Sequence, residues 1–163
     1  GMYYMALLHD VGKIGVDDAI LRKPGRLTDK EFSDIKNHTV IGSQILSRIS
    51  SMPELQYGAL YHHERWDGKG YPRGLKGEEI PEAARIIAVA DAYDAMTSNR
   101  SYRKALTQDC VHDEIVNGIG RQFWPPAARA MLKMMDQDIH YDMRQKNDES
   151  SQNDEQKYEY GIS

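Results

Sequence analysis

Six side chains in this sequence are of the types that bind divalent transition metals, and they occur in four short stretches. They are His9, Asp10, His38, His62, His63 and Asp91. Any one of them alone is more often an ordinary surface or core residue than a metal ligand. Together they form a mixed imidazole and carboxylate set, which suits two divalent ions bridged by a carboxylate and a water.

Asp91 is the least ordinary of the six. Val89, Ala90 and Ala92 surround it in the stretch EAARIIAVADAYDAMT, whose apolar residues recur at helical spacing. We therefore expect the Asp91 carboxylate to be buried. A buried carboxylate is costly unless it is paired or bound to a metal, so the sequence predicts a cationic partner for this residue.

Helices must position these side chains, because apolar residues follow a helical period through most of the chain and no convincing strand pattern appears. A first helix is expected to end at Gly12 with a residue of positive φ. Thr28 and Glu31 have the spacing of a capping box and predict the start of a second helical region. This region has a break near His38.

Prolines predict where the remaining helices begin. Pro53 precedes a helix that ends at the two adjacent histidines, and Pro81 precedes the helix of Asp91. Two further helices are expected, one from about Thr107 and one after Pro125. The sequence therefore predicts an all-α domain with long loops between the helices.

Composition limits the class of protein. The chain has 163 residues, 40% of them hydrophobic, which fits one domain with a single core. Its net charge of −4 does not favour binding to a nucleic-acid polymer, and no apolar run approaches the roughly 20 residues of a membrane span. The lone Cys110 fits a reducing compartment. We predict a cytoplasmic protein with a domain at 1–137 and a polar, acidic tail at 138–163 that we expect to be flexible.

Five motifs, in this order, resemble the HD-GYP family, the group of HD-superfamily phosphohydrolases that cleaves cyclic di-GMP. They are HDVGKIG at 9–15, LRKPGRLTDKEF at 21–32, HTVIGSQIL at 38–46, HHERWDGKGYPRGLKGEEIP at 62–81 and RIIAVADAYDAMTSNRSYRKA at 85–105. The resemblance implies an HD-superfamily helical bundle with a GYP-containing loop. It also implies a metal-dependent phosphodiesterase of bacterial second-messenger signalling that hydrolyses cyclic di-GMP to linear pGpG, GMP or both.

The resemblance assigns the six side chains above as metal ligands and makes Asp10 the bridge between two ions. Two or three divalent ions are implied, with iron or manganese favoured by the family. Lys13 joins Asp10 as a catalytic residue, placed to stabilise charge near the reactive phosphate. The alternative for Lys13 is a solvated lysine after a helix.

Substrate-binding roles follow from the same resemblance. The matching positions are Tyr71, Asp94, Arg100 and Arg103. Arginine suits this task because its planar guanidinium meets phosphate with two hydrogen bonds and stacks on bases. For Arg85 the resemblance leaves open a nucleotide contact or a role in holding the loop.

Two departures from the family pattern leave alternatives open. The family has a helix before ALLHD that supplies a further histidine ligand, and this sequence begins after it. We therefore weigh the enzyme against an inactive cyclic-dinucleotide receptor or truncated remnant, and against a phosphohydrolase of another nucleotide. An upstream receiver or sensory domain and a homodimer are further expectations. Second, Trp124 stands where the family has an aspartate, so the last helix loses a side-chain cap worth about 1 kcal/mol.

Overall fold

The computed structural model describes residues 1–100 and 103–144, which form α-helices, two short 3-10 helices and connecting loops, with no β-strand. The helices are α1 (Met2–Leu8), α2 (Asp18–Leu21), α3 (Asp29–Lys36), α4 (His38–Leu46), α5 (Leu55–Tyr61), α6 (Glu82–Thr97), α7 (Gln108–Gly118) and α8 (Pro125–Gln137). The predicted all-α class is confirmed. Within the described ranges, no helix has the length and apolar character that crossing a membrane requires.

Local sequence signals account for several helix ends. Thr28 caps α3 through a complete capping box with Glu31, as predicted. The predicted break falls at Asn37, between α3 and α4. Thr107 accepts a hydrogen bond from the backbone N–H of Cys110 and so caps α7. Trp124 is the N-cap residue of α8 and makes no side-chain capping bond, as its side chain predicts.

Gly12 does not have the positive φ that we predicted for a helix end. It lies in the 3-10 helix Val11–Gly15, which packs against α4. A Cβ atom at Gly12 would lie 2.5 Å from the backbone nitrogen of Gly42 and closer still to the carbonyl oxygen of His38. Glycine is needed here because two backbones approach each other, and not because of an unusual dihedral angle.

Two clusters of buried side chains share helix α6. The first joins α1, α4, α5 and α6 through Met5, Leu46, Leu55, Ala59 and Ile87. The second joins α6, α7 and α8, and its members include Val89, Tyr93, Ile115 and Phe123. Because Asp91 lies on α6 beside both clusters, its position is fixed by packing on either side.

The chain turns back after α8 ends at Gln137. The Asp138 carboxylate accepts hydrogen bonds from the backbone N–H groups of Asp142 and Met143. Arg144 donates to the carbonyl oxygen of Leu106. The remainder of the predicted acidic tail, 145–163, lies outside the described residues.

Candidate metal centre

Helix ends supply five of the six predicted ligands, and the interior of α6 supplies the sixth. His9 is the C-cap of α1 and Asp10 follows it, while His38 is the first residue of α4. His62 is the C-cap of α5, and His63 follows it directly. Asp91 lies within α6. Adjacent residues at a helix end can reach one cluster because the backbone is already leaving the helical path.

The ligand atoms form two overlapping groups, each with all its atoms within 4.8 Å of one another. The first group contains Asp10, His38, His62 and His63. The second group contains His9, His62 and Asp91. His62 belongs to both groups. The arrangement can therefore hold one or more metal ions.

Asp10 faces both groups with different oxygens. Its Oδ1 lies 3.4 Å from His38 Nε2 and 3.6 Å from His62 Nε2. Its Oδ2 lies 3.4 Å from His9 Nε2 and 2.5 Å from Lys13 Nζ. Asp91 is half-buried, and its Oδ1 lies 3.3 Å from His9 Nε2. His9 is thus the cationic partner that the sequence predicted for Asp91.

Backbone carbonyls orient three of the imidazole rings. The Nδ1–H groups of His9 and His38 donate to the carbonyl oxygens of Ala6 and Ile35, each at 2.5 Å. His62 Nδ1 donates to the last turn of α5, at 2.9 Å to Ala59 and 3.0 Å to Gly58. A carbonyl only accepts, so each Nδ1 carries the proton and Nε2 is directed into the cluster. Second-shell bonds of this kind hold metal-binding histidines in the ligating tautomer.

The donor set fits a metal because its atoms are poorly satisfied without one. Asp10 Oδ1 is buried and has no hydrogen-bond partner. The Nε2 atoms of His38 and His62 are 3.4 Å apart, and both lie near Oδ1 without reaching hydrogen-bonding geometry. A buried acceptor without a donor is destabilising. A divalent cation between these atoms would remove that penalty.

The electrostatics of the cluster favour ionised carboxylates. Burial raises the pKa of Asp10, but the surrounding imidazoles and the Lys13 ammonium outweigh burial and hold that pKa well below its usual range. Burial likewise raises the pKa of Asp91, and His9 outweighs it and lowers the pKa. Both carboxylates are therefore charged at neutral pH and available to a cation.

The two outer histidines differ in protonation. Burial lowers the pKa of His9, but hydrogen bonds to Asp10 and Asp91 outweigh burial and raise the pKa to about 10. Burial and the neighbouring His62 lower the pKa of His63 to about 3. His63 is thus neutral and ready to ligate, whereas His9 must lose a proton first.

The loop after His63 folds over the cluster and is held by Glu64, which the sequence analysis did not single out. The buried Glu64 carboxylate accepts hydrogen bonds from the backbone N–H groups of Arg73 at 2.7 Å and Leu75 at 2.9 Å. Tyr71 N–H donates to the carbonyl oxygen of His63, and the Tyr71 ring stacks on His63 at 4.8 Å. Gly70 permits this return, because a Cβ there would lie 2.5 Å from the same carbonyl oxygen.

Arg85, Trp66 and Trp124 stack together and hold the GYP loop, the loop after His63 that contains Gly70, Tyr71 and Pro72. The Arg85 guanidinium lies 4.8 Å from the Trp124 ring and 5.8 Å from the Trp66 ring, and its Nε donates to the carbonyl oxygen of Ile80. Trp66 N–H also donates to the carbonyl oxygen of Gln122. Arg85 therefore holds the loop, which was one of the two roles left open for it. Trp124 caps no helix but supplies the outer ring of this stack.

A cleft of about 410 Å³ lies beside the cluster of candidate metal ligands, between α3 and the GYP loop. His62, His63 and Asp91 line its floor, and Tyr71 and Lys69 line the loop side. Phe32 and Lys36 line the α3 side. The cleft thus joins the candidate metal ligands to aromatic and basic side chains, which are the groups that bind nucleotides.

The other predicted substrate contacts lie near the C-terminal end of α6. Asp94 is about one turn beyond Asp91 on α6. Arg100 and Arg103 follow the helix, are exposed, and pair with each other in an isolated antiparallel β-bridge. The Arg103 guanidinium donates to the carbonyl oxygen of Ala95. Of the four predicted substrate contacts, Tyr71 lines the cleft. The substrate-binding roles of all four stay predictions.

Comparison with known proteins identifies the family. The family model described as "HD domain" matches residues 2–121. The chain belongs to the HD domain family. Its GYP loop and its relatives further place it in the HD-GYP group, as the motifs predicted. The six candidate metal ligands all lie within the matched residues.

The relatives of this HD domain include phosphodiesterases of cyclic dinucleotides. A cyclic di-GMP phosphodiesterase of Thermotoga maritima is 48% identical over 153 residues, covering 92% of this chain and 41% of the relative. A cyclic di-GMP phosphodiesterase response regulator of Xanthomonas campestris is 47% identical over 131 residues, covering 78% of this chain and 34% of the relative. A 3'3'-cGAMP-specific phosphodiesterase of Vibrio cholerae is 40% identical over 134 residues, covering 81% and 26%. The chain spans less than half the length of each of these relatives.

Proposed function

We propose that this HD domain is a metal-dependent phosphodiesterase that hydrolyses cyclic di-GMP to linear pGpG, GMP or both. The observation that carries the proposal is the cluster itself, in which six candidate ligands form two overlapping groups and the unsatisfied Oδ1 of Asp10 lies among histidines beside an open cleft. The cyclic-dinucleotide phosphodiesterases among the relatives support the choice of substrate. A pure receptor would not need this ligand set.

In this proposal, His9, His38, His62, His63, Asp10 and Asp91 hold two or three divalent ions, with iron or manganese favoured. Such ions supply Lewis acidity toward a phosphodiester and toward water. Asp10 would be the ligand shared between the ions, since its two oxygens face different groups of candidate ligands. The carbonyl-bound Nδ1 atoms keep the rings in the tautomer that ligates.

Lys13 acts on charge rather than as a ligand. Its ammonium lies 2.5 Å from Asp10 Oδ2 at the open edge of the cluster. From there it stabilises negative charge that develops on a phosphoryl or leaving oxygen. Tyr71 contacts the nucleotide from the loop side of the cleft, and Asp94, Arg100 and Arg103 contact it from the end of α6. The receiver or sensory domain and the homodimer stay predictions.

A substrate panel tests the proposal. The chain is loaded with Mn(II) or, under anaerobic conditions, Fe(II), and incubated separately with cyclic di-GMP, 3'3'-cGAMP, cyclic di-AMP and GTP. Product formation is followed by ion-exchange chromatography beside an Asp10→Ala control. We expect cleavage of cyclic di-GMP that is absent from the control.

The other substrates define the alternatives. Preferential cleavage of 3'3'-cGAMP would assign the chain to the specificity of its Vibrio cholerae relative. Cleavage of GTP alone would assign a different nucleotide phosphohydrolase. Tight binding of cyclic di-GMP without any product would make the chain a receptor.

A further inference from the structure

A lysine and a phenylalanine on α3 face the GYP loop across the cleft, and no role has been assigned to either. Phe32 and Lys36 are four residues apart, so their side chains lie on the same face of α3. The Lys36 ammonium lies 4.9 Å from the centre of the Phe32 ring and 5.8 Å from that of Tyr71. The two rings meet edge to face at 6.4 Å. We call Phe32 and Lys36 the α3 contact.

The α3 contact has groups available to a ligand. Phe32 is 48% exposed although it is a large apolar residue at the cleft wall. The ion pairs of lysines in the described residues join Lys13 to Asp10 and Lys23 to Glu31, and Lys36 takes part in neither. An exposed aromatic ring beside an unpaired ammonium suits a base and a phosphate.

Aromatic rings in contact with one another connect the α3 contact to the cluster of candidate metal ligands. Lys36 and Phe32 adjoin Tyr71, and Tyr71 stacks on His63, which is one of the candidate ligands. Lys36 and Tyr71 also separate the cleft from a second hollow of about 340 Å³. A cyclic dinucleotide has two phosphates and two bases, so a site that cleaves one phosphodiester must hold the rest of the molecule nearby.

We propose that the α3 contact is a substrate-binding surface, in which the Lys36 ammonium binds a phosphate of the cyclic dinucleotide and the Phe32 ring packs against one of its bases. This inference rests on the proposed function for the identity of the ligand. It assigns Phe32 and Lys36 to binding and specificity, and it leaves metal binding to the histidine and aspartate cluster.

Three variants on α3 test the inference. Lys36→Gln removes the ammonium and Phe32→Ala removes the ring, while Lys30→Gln is a matched control at an exposed lysine of α3 that lines neither hollow. Each Mn(II)-loaded protein is titrated with cyclic di-GMP by calorimetry. The same preparations are assayed for kcat, KM, manganese content and Tm.

We expect Lys36→Gln and Phe32→Ala each to weaken binding about tenfold, seen in both Kd and KM. We expect kcat to stay within about twofold of the wild type and manganese content and Tm to be unchanged, because neither residue belongs to the metal cluster. Lys36→Arg restores most of the affinity, and Lys30→Gln behaves as wild type. Added salt weakens binding by the wild type more than by Lys36→Gln.

The outcomes separate this inference from the proposed function. Hydrolysis with an unchanged KM in both variants would overturn the α3 contact and leave the phosphodiesterase standing. Binding without hydrolysis, weakened by both variants, would overturn the phosphodiesterase and support the α3 contact. A loss of manganese or of folding that accompanies the weaker binding would overturn the α3 contact, as would an absence of binding by the wild type.

Discussion

Gly12→Ala is expected to damage the metal centre although Gly12 binds no metal. The new Cβ would lie 2.5 Å from Gly42 N, and the atom nearest to it would be the carbonyl oxygen of His38. Reaching an ordinary contact of about 3.4 Å with Gly42 N requires the 3-10 helix and α4 to move apart by roughly 1 Å, and the closer carbonyl oxygen of His38 requires a larger shift. Neither obstacle is a flexible side chain, so the backbone itself must shift.

The shift acts directly on two ligands, because Asp10 precedes the 3-10 helix and His38 begins α4. Metal sites tolerate changes of only about 0.2 Å in ligand distance. We therefore expect Mn(II) affinity to fall at least about 100-fold. Overpacking of this kind also costs about 3 kcal/mol, or roughly 10 °C in Tm for a chain of this size.

Calorimetric Mn(II) titration and thermal unfolding measure both effects of Gly12→Ala. Gly15→Ala is the control on the same 3-10 helix, where the new Cβ would meet the movable side chain of Ile41 at 2.8 Å. We expect a small effect there. Wild-type manganese affinity and Tm in Gly12→Ala would refute the conclusion that close backbone packing positions Asp10 against His38.

Three further predictions concern protonation, the loop and the tryptophan stack. Hydrogen bonds to Asp10 and Asp91 outweigh burial and raise the pKa of His9 to about 10, so a metal ion that binds His9 must displace a proton. Mn(II) affinity should therefore rise up to about tenfold per pH unit between pH 6 and 9. Titrations at several pH values check this, and a pH-independent affinity would contradict it. Glu64→Gln leaves the backbone N–H of Arg73 or Leu75 without its acceptor and should lower the free energy of unfolding by about 1–3 kcal/mol. Hydrogen exchange at those two amides should become faster. Unchanged exchange would show that another group holds the loop. Arg85→Met should cost about 1–2 kcal/mol in urea unfolding and alter tryptophan fluorescence, since it removes the cation that contacts both Trp66 and Trp124. Identical spectra and stability would show that these contacts do not hold the loop.

The sequence predicted much of the local structure around the candidate ligands, because five of the six lie at or beside a helix end and only Asp91 lies within a helix. Thr28 marks the start of α3, and the break before His38 places that histidine at the first position of α4. His62 and His63 end α5 as predicted. These boundary signals are local in the chain, so helix periodicity and capping chemistry predict them, whereas the assignment of the six residues as ligands rests on the resemblance to the HD-GYP family.

The parts that could not be predicted depend on contacts between distant segments. The sequence predicts Gly12 as a helix terminator, because the packing of this residue against α4 leaves no signal in the neighbouring sequence. Glu64 follows two candidate ligands and looks like a surface residue until the loop returns to it with two N–H groups. Phe32 and Lys36 read as an ordinary amphipathic helix face, since their position opposite Tyr71 is a tertiary contact.

The structural effect of Trp124, which stands where the family has an aspartate, could be predicted only in part. The sequence predicted the loss of a capping side chain at the start of α8, and the structure agrees. It did not predict that the indole would stack on Arg85 and so help to hold the GYP loop. The stack involves Trp66, which is 58 positions earlier in the chain, beyond the reach of any local pattern.

The central claim is that this cluster of histidines and aspartates binds divalent metal and cleaves a cyclic dinucleotide with it. The most direct test is a single-turnover reaction with cyclic di-GMP, in which manganese content and product are measured in the same sample, with and without chelator and beside Asp10→Ala. We predict linear pGpG or GMP in proportion to bound manganese, and none after chelation or in the variant. Product that persists without metal, or no product from fully loaded protein, would contradict the account.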